Sequence, residues 1–207
     1  MSATRATVLA VSLSLLLACH AGNAEYGGEP ERQLAAATIA ADVGRVSQLL
    51  AAGADPNKMA AHEGHYQSPW KLAIHQVRPG RRDLDEIVRV MLRARANPDV
   101  AWGQAPSLRS AQGYTTQRTT PILDAVADSA PDAVRALMEA GLDRRLGQLA
   151  LVLAVENGQA EIVHVLVEAG VSVNCQPSAN TPLVAAIEAR NVPLMVYLEE
   201  HGARERP

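Results

Sequence analysis

His62-Glu63-Gly64-His65 is the one group in this chain with the flavour of metal chemistry. Two imidazoles this close could share a zinc ion, and a metal-dependent hydrolase using His62 and His65 is one reading of the sequence. The spacing argues against it. In H-E-x-x-H the two histidines share a face of a helix, and here Tyr66 stands where the second His is needed. Gly64 and its surroundings favour a loop, and no third ligand is near in sequence. No metal ligand is assigned.

Other chemistry is thinner still. No G-x-S-x-G elbow, phosphate-binding P-loop or dinucleotide fingerprint occurs. Arg78, Arg81 and Arg82, with Lys71 and Arg89 nearby, are followed at once by Asp83, Asp85 and Glu86, which marks a solvated edge rather than an anion site. His164 lies in an apolar helical run and reads as structural. Cys175 sits in a loop with nothing nearby to lower its pKa, so it reads as unreactive. The expectation is a protein that is not an enzyme, with no catalytic residue and no cofactor.

What remains is a binding chemistry. Tyr66, Trp102 and Tyr114 are half of the chain's six aromatic residues, and Arg109 and Arg118 accompany them. Aromatic and Arg side chains are enriched at the energetic centres of protein interfaces. These five are the candidate partner-binding residues, the Tyr and Trp as anchors and the Arg as carboxylate partners. All lie in the connections between helical runs, where function concentrates.

The elements that must position them recur. Leu149 to Asn174 holds two short apolar runs, Leu151–Glu156 and Ala160–Glu168, joined by Asn157-Gly158-Gln159. Helices this short are marginal alone, so a hairpin of two needs neighbours to cover its apolar face. A turn residue followed twelve positions later by a helix-closing Gly appears as Ala41/Gly53, Ser129/Gly141, Gly158/Gly170 and Arg190/Gly202. Ser68-Pro69, Thr120-Pro121 and Thr181-Pro182 open helices, the hydroxyl capping and the Pro fitting the first position. In the second copy Arg95 replaces the closing Gly, which predicts a strained or remodelled cap. Trp70, just after Ser68-Pro69, is expected to fill the core.

Thr181-Pro182-Leu183, and Leu49-Leu50-Ala51-Ala52-Gly53-Ala54-Asp55-Pro56-Asn57, resemble the ankyrin repeat family, whose pattern is T-P-L-H-x-A-A followed by V-x-x-L-L-x-x-G-A-D-x-N. About five copies are counted over residues 31–205. The resemblance implies an all-α solenoid of helix–turn–helix repeats, with fingers projecting from one edge and a protein partner bound there and on the concave face. Measured between repeats, Asp99 to Thr120 is the longest connection, Asn57 to Ser68 is also extended, and Arg145 to Leu149 is nearly absent. The first and last copies are expected to act as caps. Exported bacterial ankyrin proteins serve as immunity-type inhibitors and as protectors of stress enzymes such as catalase, so the resemblance implies one of these roles.

Composition agrees with helices packed in thin layers. The chain has 207 residues, no Phe and much Ala, Leu and Val, which suits one domain with short appendages. A net charge of −3 offers no basic field for nucleic acid. Residues 1–18 read as an export signal: Arg5, then an uncharged run from Ala6 to Ala18 too short to span a bilayer. Leu16-Leu17-Ala18-Cys19 resembles the lipobox of bacterial lipoproteins, which implies lipidation of Cys19 and a periplasmic, membrane-anchored monomer. Cleavage after Ala24 is the alternative and would release a soluble periplasmic or secreted chain. Either way Cys175 remains the only thiol, and no internal disulfide can form. Residues 19–30 are small and polar and read as a tether, leaving 31–205 as the repeat domain.

Overall fold

A computed structural model describes residues 27–62, 65–77, 81–102, 119–177 and 180–204. Five helix hairpins stand in file: α1 (Glu29–Ile39) with α2 (Val43–Ala51), α3 (Pro69–Gln76) with α4 (Arg82–Arg93), α5 (Pro121–Ala127) with α6 (Pro131–Glu139), α7 (Arg144–Glu156) with α8 (Ala160–Glu168), and α9 (Pro182–Glu188) with α10 (Val192–Glu200). The odd-numbered helices pack in one row, each on the next, and α2, α4, α6 and α8 form the second row. Among the described residues the hairpins share no common centre. The core is a continuous strip between the rows, with Leu34, Val46, Ile74, Ile87, Met91, Ile122, Leu137, Leu151, Leu166, Leu183 and Leu198 at its heart. This is an all-α solenoid of helix–turn–helix repeats, the architecture that the ankyrin resemblance implies.

The twelve-residue rhythm has a backbone cause. Ala41, Ser129, Gly158 and Arg190 between paired helices, and Gly53, Arg95, Gly141, Gly170 and Gly202 after the second helix, all have positive φ. Each reverses the chain, and at eight of the nine the following N–H reaches back into the helix just ended, as in Asp42 to Ala37, Ala54 to Leu49, Ala96 to Met91 and Ala203 to Leu198. Arg95 keeps the glycine's geometry at φ 66° in spite of its side chain, so the second repeat is strained rather than remodelled.

Caps follow the expected chemistry with one exception. Ser68 accepts from the N–H of Lys71 and Thr181 from that of Val184. Thr120 caps nothing, and its buried hydroxyl has no partner. Trp70 is fully buried in the core, as expected, and its indole N–H donates to the Asn97 carbonyl at 2.8 Å.

Two expectations need correction. The run placed at Leu151–Glu156 begins instead at Arg144, because Asp143 caps the helix by accepting from the Arg145 N–H and no proline interrupts it. The missing third finger has become two extra turns of α7. Close packing of that extension uses Gly147, where a side chain would meet Val171 at 3.3 Å and Met138 at 3.5 Å. The second correction concerns the loop placed around His62 and His65. The backbone there forms an antiparallel hairpin, β1 (Ala60–His62) paired with β2 (His65–Gln67).

On the outer row, adjacent repeats are laced at regular positions. Arg89 meets Glu139 at 3.1 Å, and Arg135 meets Glu168 at 3.8 Å. At the next step His164 stacks on Tyr197 instead, ring centres 4.3 Å apart, and Tyr197 stacks on His201 at 4.1 Å. In the last hairpin Ile187 is 37% exposed, whereas Val126 and Val155, in the same place on earlier helices, are fully buried.

Candidate functional site

The finger edge begins with the β1–β2 hairpin between the first and second repeats. Its register places Ala61 opposite Tyr66 and His62 opposite His65. Tyr66 is 59% exposed, the largest exposed aromatic among the described residues. The hairpin is rooted at the start of β1. The Gly27 N–H donates to the Met59 carbonyl at 2.8 Å, and Ala60 is fully buried. Glu63, Gly64 and the side chains of His62 and His65 lie outside the described residues, and so do Cys19, Arg109, Tyr114 and Arg118. No group of three or more His, Cys, Asp or Glu suited to a metal ion occurs among the described residues.

The second finger has a well-defined root. Trp102 and Thr119 form an antiparallel bridge, the Trp102 N–H donating to the Thr119 carbonyl at 2.9 Å. Trp102 is half-buried against the core rather than splayed into solvent. Its indole N–H donates to Asp124 Oδ2 at 2.8 Å, and the Thr119 hydroxyl donates to Asp124 Oδ1 at 2.5 Å. His75 Nε2, from the preceding repeat, lies 3.5 Å from Asp124 Oδ2. Sequence reasoning missed Asp124. The only local signal was a carboxylate on the face of α5 that should be apolar.

The two candidates among the described residues, Tyr66 and Trp102, lie at two separate connections and do not converge on a reactive centre. Tyr66 and Trp102 stand at successive repeat boundaries. Cys175 is buried near the Gln148 carbonyl, and burial pushes its thiol up to about 11, so thiolate chemistry is suppressed. At the end of α7 the Glu156 carboxyl is raised, chiefly by burial and then by the charge of Glu188. Among the described residues no helix is long and apolar enough to cross a membrane.

Comparison with known proteins bears on the same stretch. Residues 122–205 match the family model for ankyrin repeats, in three copies. The chain is also similar to BRCA1-associated RING domain protein 1 of Caenorhabditis elegans, 30% identical over 119 residues. That alignment takes in 53% of this chain and 17% of the relative, so the chain spans about a sixth of that protein's length. Ankyrin repeats indicate a protein–protein interaction module, of a family that is generally non-enzymatic.

Proposed function

We propose that this chain is a protein-binding module of the bacterial cell envelope, gripping its partner with the concave face and the first two fingers. The observation that carries the reading is the finger edge itself. Tyr66 is held out on a rooted hairpin and Trp102 is held in a fixed orientation at the next boundary. Fixed aromatic surface binds with less lost entropy than mobile side chains do. Arg109, Tyr114 and Arg118 belong in sequence to the connection that Trp102 opens and are the remaining candidate contacts.

The envelope location rests on the N-terminal sequence. Residues 1–18 are the export signal, and Cys19 at the end of Leu16-Leu17-Ala18-Cys19 carries the lipid. Residues 19–26 serve as the tether to the membrane surface, and the protein works there as a monomer. The expected boundary at residue 30 moves back because Gly27 is bonded to Met59 and α1 begins at Glu29. Mass spectrometry of the purified chain tests this directly: an acylated Cys19 supports it, and Glu25 as the first residue replaces the anchor with a soluble exported form.

Within that role the partner is a toxin that the module neutralises or a stress enzyme that it shields. The gene beside this one in the genome separates the two. The binding surface is tested by affinity capture from cross-linked envelope with Trp102 and Tyr114 both changed to Ala. Partner recovery should collapse, and unchanged recovery would remove these residues from the site.

A further inference from the structure

We infer that Asp124 is a positioning residue for the binding edge: it clamps both roots of the longest inter-repeat connection and fixes the plane of the Trp102 indole. This deepens the reading above and rests on it only for the consequence in binding, because the clamp itself is a matter of geometry.

Asp124 is out of place as a structural residue. It lies on α5, four residues after Thr120, and is 6% exposed. The equivalent places in other repeats, four residues after Ser68, Leu149 and Thr181, hold Leu72, Leu153 and Ala185. The stack therefore closes well with an apolar side chain there. A carboxyl group taken out of water is costly unless its oxygens are hydrogen-bonded, so its presence needs a compensating role. The donors identify that role. Oδ2 takes the Trp102 indole N–H at 2.8 Å, and Oδ1 takes the Thr119 hydroxyl at 2.5 Å. Trp102 and Thr119 are the two residues at the mouth of one connection, already joined by the 2.9 Å backbone bond. His75 adds a contact from α3 at 3.5 Å, tying the clamp to the preceding repeat.

The carboxyl thus occurs in the one repeat that follows the longest connection, and its two oxygens are spent on that connection's two ends. A bare backbone bridge leaves an indole free to rotate about two side-chain bonds. The second attachment, through Nε1, removes that freedom and presents the remaining ring edge in a single orientation.

The test uses the full chain labelled with 15N at the tryptophan indoles, in wild type and in Asp124→Leu. Two indole N–H signals are expected, one from Trp102 and one from Trp70. In the variant the Trp102 signal should shift, and its protection from solvent exchange should fall about tenfold, the worth of one hydrogen bond. Trp70, held by Asn97, should not move, and the melting temperature should not drop, since Leu72 and Leu153 occupy this place elsewhere. A merely structural Asp124 would show the opposite pattern, a lower melting temperature with the Trp102 signal in place, and that overturns the proposal. Asp124→Ala, matching Ala185, gives the same measurement if the Leu variant does not fold. Partner capture is read in parallel. Loss of the Trp102 anchoring with loss of capture supports both readings. Loss of the anchoring with undiminished capture keeps the clamp and removes Trp102 from the binding site.

Discussion

The side-chain oxygen of Asn57 accepts the backbone N–H of Asn97 at 2.8 Å, while its amide donates to the Arg95 carbonyl at 3.0 Å. One side chain in the connection after the first repeat thus holds the turn that ends the second. The relation recurs. Asn174 donates to Gly202 at 2.8 Å and accepts from Arg204 at 3.0 Å, and Asp99 accepts from the Asp143 N–H at 2.8 Å. The first, second and fourth repeats are fastened to their successors at the same place, four residues past the left-handed turn. Only the third repeat lacks the fastener, because Arg145 occupies the position and already belongs to α7.

Removing one fastener should loosen one end of the stack. Asn174→Ala deletes two bonds between repeats, worth roughly 1 kcal/mol each. Amide exchange in α9 and α10 should quicken while that of α1 stays unchanged, because in a solenoid each repeat feels only its neighbours. Equal quickening throughout would mean that the stack opens as a single unit.

Arg95 should be improvable. Its φ of 66° suits glycine, and its side chain is exposed. Arg95→Gly relieves a left-handed backbone penalty of about 1 kcal/mol, and the melting temperature should rise by about 2–4 °C. Gly53→Ala, at φ 97° with open space around it, should lower it by a similar amount through backbone strain alone.

The Cys175 thiol gives a pH signature. Its pKa rises to about 11 in the folded chain from an ordinary value of 9.0. Burial favours the neutral thiol, so its contribution to stability is complete below the unfolded value and fades as pH climbs through the folded one. Cys175→Ala should therefore lose less stability than wild type between those two values in alkaline melts. Modification of Cys175 by a thiol reagent at pH 8 should be slow until the chain is unfolded.

Glu156 and Glu188 should repel each other measurably. Burial first, and Glu188 second, raise the Glu156 carboxyl. A raised carboxyl favours the folded chain when protonated, and that advantage is lost as pH rises through the folded value. Glu188→Gln keeps an acceptor for the Asn180 amide, which now bonds Glu188 at 2.9 Å, while removing the charge. Its melting temperature should exceed that of wild type at pH 7, and the gap should narrow as the pH falls and the Glu156 carboxyl takes up its proton.

The parts of the fold that were legible in the sequence are those with a local cause. Ala41/Gly53, Ser129/Gly141, Gly158/Gly170 and Arg190/Gly202 announce chain reversals through turn residues at fixed spacing, and every one has positive φ. Ser68 and Thr181 announce helix starts through a hydroxyl and a proline. Where the local cause was ambiguous, the reading slipped. The segment after Asp143 holds no breaker, so the helix grew back to Arg144. Residues 60–67 are too short and too mixed in polarity for alternation to betray a hairpin.

Short-range chemistry, turn residues, caps and the apolar rhythm of each hairpin, was enough for the sequence by itself to determine the repeat, its period and its stacking. Those signals act within a dozen residues. The clamp on Trp102 was decided only by tertiary structure, since Asp124 lies 22 residues from Trp102 and 49 residues from His75 and meets both through the stacking of neighbouring helices. A buried carboxyl chooses its partners by distance in space, and a linear pattern carries no trace of that distance until the hairpins stand side by side.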